Sequence, residues 1–168
     1  MDNNTLYSIL IAIAVAAALA YYFYATRDKK GAGLSKAAPG SSGSLQLQAY
    51  ERLTLLTDRI AIPNLISRIN HTGMSAGEMQ FVLTKTIRDE FDFNITQQIY
   101  VTAETWKAVK NLRETNLLVI NQVANSLPAD ATALDLNRAL LQFGMNDKKG
   151  NLHEYVSEAL SYEAKKLL

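Results

Sequence analysis

The stretch 75-SAGEMQFVLTKTIRDEF-91 decides the fold class. Ser75 is followed three residues later by Glu78, the capping-box pattern in which the serine oxygen and the glutamate carboxylate each satisfy an otherwise free backbone amide. Met79, Val82, Leu83, Thr86, Ile87 and Phe91 then recur every three or four residues, so one side of the helix is apolar and must be buried. A single helix cannot bury its own stripe. The remaining chain therefore has to supply partner elements of the same kind.

Upstream, Ala49, Leu53, Leu56 and Ile60 mark one face of a first helix, which Ile62-Pro63 interrupts. Pro63 suits the first turn of a short second helix carrying Leu65, Ile66 and Ile69, with Gly73 as its expected end. Downstream, Phe93 to Val101 mixes β-branched and aromatic side chains with polar ones. A lone strand has no partner within the chain to pair with, so this segment reads as an extended connector, or as a short strand if a partner chain supplies an edge. Thr102 is the expected cap of a long helix from Ala103 to Ser126, with Trp106, Val109, Leu112, Leu117, Ile120 and Val123 facing inward and Pro128 closing it. Asp130 is the expected cap of a further helix through Leu134, Leu140, Leu141 and Phe143. A turn is expected over 144–150. A terminal helix then buries Leu152, Tyr155, Val156, Ala159 and Leu160, with Lys165 and Lys166 complementing its C-terminal dipole. The reading for residues 45–168 is an all-α, compact bundle of five or six short helices.

The N-terminal part reads differently. Leu6 to Thr26 holds no charged side chain, and at 1.5 Å per residue it covers about 31 Å, the thickness of a bilayer's hydrocarbon core. Tyr7 at one end and Tyr21, Tyr22, Phe23 and Tyr24 at the other match the aromatic belts of a spanning helix. The five residues before it lack the positive charge of a secretion signal, and the apolar run is longer than a signal's core, so a retained anchor is expected. Arg27, Lys29 and Lys30 follow at once. By the positive-inside rule residues 1–5 lie outside and the large domain lies in the cytoplasm. The same three residues are candidate contacts for lipid headgroups. Ser8, Ala12, Ala16 and Ala20 form a small-residue stripe, a candidate face for packing against another membrane helix. Residues 27–44 are basic and then rich in Gly, Ser and Ala, a tether whose typical span is about 20–25 Å.

Charge and composition narrow the classes. Residues 27–44 carry four basic side chains against Asp28, while 45–168 hold 13 basic and 14 acidic ones, so the domain has no basic field to hold nucleic acid. The chain has no cysteine, which removes disulfides, thiol catalysis and thiolate metal sites. His71 and His153 stand alone, without a second ligand at helical or hairpin spacing. Asp89, Glu90 and Asp92 read as a solvated helix end, because neighbouring helical positions point in different directions. No glycine-rich phosphate loop is present. No catalytic, cofactor-binding or metal-ligating residue emerges, and no cofactor is expected. Tyr100 and Trp106 are candidate partner-binding aromatics if exposed, and core residues if not.

Tyr50-Glu51-Arg52-Leu53, Arg59-Ile60 with Pro63-Asn64-Leu65, and Gln97-Gln98-Ile99-Tyr100-Val101-Thr102 with Trp106, taken with the N-terminal span and tether, give a further indication. From Leu45 to about Leu127 the chain resembles a group of small uncharacterised single-pass membrane proteins of Bacteroidota. The resemblance implies a protein of a bacterial inner membrane with no assigned activity, and it carries over no catalytic residue. The expected function is a non-catalytic protein-interaction or accessory-subunit module at the cytoplasmic face of the membrane, binding a protein partner or another copy of itself. The alternative is a membrane-bound enzyme or small-ligand sensor with a pocket built from dispersed polar residues such as Arg68, His71, Glu104 and Arg113.

Overall fold

The structure is a computed structural model that describes residues 41–69, 72–146 and 152–168. Among them are six α-helices and one 3-10 helix: α1 (Ser41–Ile60), α2 (Ile62–Arg68), α3 (Ala76–Phe93), the 3-10 helix (Ile95–Ile99), α4 (Ala103–Asn125), α5 (Ala133–Asn146) and α6 (Leu152–Lys165). They form a compact all-α bundle. None of these helices is long and apolar enough to cross a membrane. The stretch 6–26, with Ser8, Ala12, Ala16 and Ala20, and the basic residues Arg27, Lys29 and Lys30 lie outside the described residues.

The helices form for local reasons and persist because they share a core. Leu53, Leu56 and Ile60 of α1, Met79, Leu83 and Ile87 of α3, Leu112 and Ile120 of α4, Leu136 and Leu140 of α5 and Leu160 of α6 are almost wholly withdrawn from solvent. α4 is central, packing against α3, α5 and α6. It runs antiparallel to α3. The pairing is fixed near one end by Phe91 stacked on Trp106, with ring centroids 5.1 Å apart, and near the other by Gln80 Nε2 donating to Asn121 Oδ1 at 2.9 Å. The buried Asn116 of α4 donates to the Ile60 carbonyl at 2.7 Å, tying the centre of the bundle to the end of α1.

The capping box at the start of α3 is present in both directions. Ser75 Oγ accepts from the Glu78 amide at 3.2 Å, and the Glu78 carboxylate accepts from the Ser75 amide at 2.8 Å. A second box lies at the start of α5, where Thr132 Oγ1 accepts from the Asp135 amide at 3.3 Å and Asp135 accepts from the Thr132 amide at 3.0 Å. The two starts are joined: Ser75 and Thr132 form an antiparallel bridge, with Ala76 N donating to Ala131 O and Ala133 N to Met74 O. Helices α3 and α5 thus set out side by side, each with a carboxylate over its positive end. Gly73, at φ +77°, makes the turn into this junction.

These boxes give a pH signature. Hydrogen bonds from Ser75 hold the Glu78 carboxyl below its ordinary range, and those from Thr132 do the same for Asp135. A carboxyl with a lowered folded pKa contributes stability above its unfolded pKa, and that contribution disappears as pH falls through the folded value. The stability gap between wild type and Glu78→Ala is therefore expected to be largest near neutrality and to shrink on acidification. Denaturant titrations at several pH values measure it. Ser75→Ala is expected to cost about 1 kcal/mol at neutral pH.

Several expectations are corrected. α1 begins at Ser41, so the tether does not extend to Ser44; once a helix is nucleated, adding a residue is cheap even where no apolar pattern marks it. α2 stops at Arg68, where Ile69 turns extended, and does not run on to Gly73. Residues 95–99 are a 3-10 turn, neither strand nor extended connector: Gln97 N donates to Asn94 O and Tyr100 N to Gln97 O, both at 3.0 Å. Thr132, not Asp130, supplies the cap of α5. That helix continues through Gly144 and Met145 to Asn146, where a turn was expected. Its inward row is Ala133, Leu136, Asn137 and Leu140, which leaves Leu134 and Leu141 outside. In α6 the buried row is Val156 and Leu160, flanked by the partly buried Leu152 and Ala164, whereas Tyr155 is 64 % exposed and Ala159 also faces solvent. α6 packs chiefly on α4, and one neighbour covers only a narrow strip of a helix.

Candidate functional site

Two helical rows meet in a groove of about 600 Å³ between α1 and α3. Arg52, Leu55, Leu56 and Arg59 come from α1, and Thr86, Asp89, Glu90 and Phe93 from α3. Each set has the i, i+3, i+4, i+7 spacing of a single helix face. Leu56 is buried at the base. Leu55 and Phe93 stand open at 58 % and 72 % exposure.

One rim of this groove is basic and the other acidic. Arg59 Nε donates to Glu90 Oε1 at 2.9 Å, a second guanidinium nitrogen of Arg59 binds the same oxygen, and Arg68 approaches it at 3.9 Å. The hydrogen bond to Glu90 raises the Arg59 pKa above its ordinary value. Glu90 is thus an ion-pair hub joining three helices and not part of a solvated helix end. Asp89 is paired along the helix with Lys85, and both side chains are exposed. The Arg52 guanidinium lies 5.8 Å from the centre of the Phe93 ring, within cation–π range. Asn94 closes the end of α3 by donating to the Glu90 carbonyl at 2.9 Å. The groove can receive an apolar group between Leu55 and Phe93 and fix its orientation through charges of both signs.

A second, more apolar groove of about 640 Å³ is lined by Ile62, Pro63, Val119, Leu141 and Met145, with His153 and Glu154 at the start of α6. Two polar residues at adjacent helical positions do not converge on one reacting atom. Among the described residues no three His, Asp or Glu side chains gather into a group able to hold a metal ion.

The sequence-derived candidates fall into separate places. Trp106 is 9 % exposed and stacked on Phe91, so it is core and not a partner-binding anchor; Tyr100 is half-buried at the end of the 3-10 helix. Phe91 on α3 faces α4 at that height, which draws the indole inward. Of the dispersed polar residues, Arg68 donates to the Arg59 carbonyl, Glu104 lies in the first turn of α4, and Arg113 stands 4.7 Å over the Phe91 ring while donating to Glu114 at 2.7 Å. None of the three lines either groove. His71 lies outside the described residues. The α1–α3 groove is hidden from sequence because Arg59 and Glu90 are 31 residues apart, although the i, i+7 spacing of Arg52 and Arg59 is plain in it.

No curated protein and no solved structure matches the chain. A family model does, over residues 3–167, nearly the whole length. The chain belongs to that family, a family of unknown function designated DUF7935.

Proposed function

We propose that this protein is a membrane-tethered helical interaction module, in which residues 6–26 span the inner membrane of a Gram-negative bacterium of the Bacteroidota. The tether of residues 27–40 then lets the bundle hang at the cytoplasmic face. Support for the membrane part is the charge-free run of 21 residues followed directly by Arg27, Lys29 and Lys30. Support for the interaction part is the α1–α3 groove, where Leu55 and Phe93 are exposed beside charged rims. Large apolar side chains ringed by polar ones are characteristic of protein-binding surfaces. The bundle is the working part and the anchor fixes where it works.

The Ala12 and Ala16 face is a second contact within the bilayer, through which the protein serves as an accessory subunit. Replacing both by leucine is expected to reduce co-purification of a membrane partner. The interaction reading is tested by affinity recovery of the full chain from membranes in mild detergent, followed by mass determination of the complex. Recovery with a partner chain or as an oligomer is expected. Recovery of the protein alone and monomeric contradicts the reading.

A further inference from the structure

We propose that the α1–α3 groove is half of a two-fold symmetric contact, and that its occupant is a second copy of this chain. This rests on the interaction reading above and names the partner. In a contact about a two-fold axis a point on one side of the axis meets the mate of the point opposite it, so that residue i contacts j while j contacts i, and the surface must complement itself. A patch that is positive on one side, negative on the other and apolar between them meets that requirement when the axis runs along its midline. The groove has this form: Arg52 and Arg59 on the α1 rim, Asp89 and Glu90 on the α3 rim, Leu55 and Phe93 as the exposed apolar pair. With the axis along the groove, the arginine rim of each copy stands over the acidic rim of the other.

The charges on the page favour a copy over a partner of one sign. Arg52 has its contact with the Phe93 ring and forms no ion pair among the described residues, so its charge is open to a partner. Asp89 is held only by the exposed Lys85, a pairing of little strength. Arg59 and Glu90 already neutralise one another across the groove, so an acidic peptide would satisfy Arg52 and be repelled by Asp89, and a basic one would meet the reverse. Like charges brought face to face exclude such partners. A second copy satisfies both rims at once.

The absence of cysteine makes the test direct. Full-length protein carrying Leu55→Cys is labelled at that single thiol with a benzophenone maleimide in native membranes, illuminated, and the adducts identified by mass spectrometry. Phe81→Cys, at an equally open position on α3 outside the groove, is the control. The expected result is an adduct of the chain with itself from Leu55→Cys and none from Phe81→Cys. Adding Arg52→Glu is expected to lower its yield about tenfold, and further adding Asp89→Lys to restore it. An adduct with a different protein overturns self-association and leaves the interaction reading standing. No adduct overturns both uses of the groove, and equal self-adducts from the two positions overturn the assigned face.

Discussion

Replacing Ile87 by alanine is expected to lower the unfolding free energy by about 2–5 kcal/mol, the range for deleting several buried methyl and methylene groups from a packed core. Ile87 is fully buried on α3, the helix that packs on both α4 and α5, so the space it vacates lies within the shared core. Trp106 provides the readout. It is the only tryptophan, and its stacking on Phe91 means that unfolding carries it from the core into water. Denaturant unfolding followed by its fluorescence should show a large drop in midpoint for Ile87→Ala. Leu55→Ala, at the open groove position, should change stability by no more than about 0.5 kcal/mol. A similar loss for both would mean that Leu55 is as structural as Ile87.

On the proposed anchoring, replacing Ile13 and Ala16 together by aspartate is expected to move the protein from the membrane to the soluble fraction. Each buried carboxylate near the centre of a spanning helix opposes insertion by about 2.5–3.5 kcal/mol, so the pair opposes it by about 5–7 kcal/mol. The bundle should be unaffected, because every described core side chain lies beyond residue 48. The released protein should keep the Trp106 unfolding transition of wild type. Loss of membrane attachment together with loss of that transition would mean that the substitutions act on folding instead.

How much of this was legible depends on how local each interaction is. The Ser75–Glu78 box and the Thr102 cap involve residues three positions apart, so sequence showed both. Pro63 at the start of α2 and the buried row of α4 were equally open to reading, because a long helix packed on three neighbours buries a wide and regular stripe. Thr132, three positions before Asp135, carries the same local capping-box pattern, which the nearby Asp130 obscures as a rival cap; only the bridge to Ser75, 57 positions away, lies beyond sequence. The apolar pattern of α6 includes Tyr155 and Ala159 but is broader than the strip α4 covers, which leaves both outside. The β-branched residues of 93–101 suggested extension, whereas Asn94 and Gln97, both buried, hold the backbone in a 3-10 turn. The candidate groove was the least legible of all, because its two rows acquire meaning only when α1 and α3 lie together.

The most direct test of a domain hung beneath a membrane is protease accessibility of wild-type protein in intact spheroplasts and in inverted membrane vesicles, combined with alkaline carbonate extraction. The anchored arrangement predicts that the protein stays in the carbonate pellet, is spared in spheroplasts, and is cut in inverted vesicles to a small membrane-held fragment containing residues 6–26. Release by carbonate, or digestion of the bundle from outside intact spheroplasts, would contradict it.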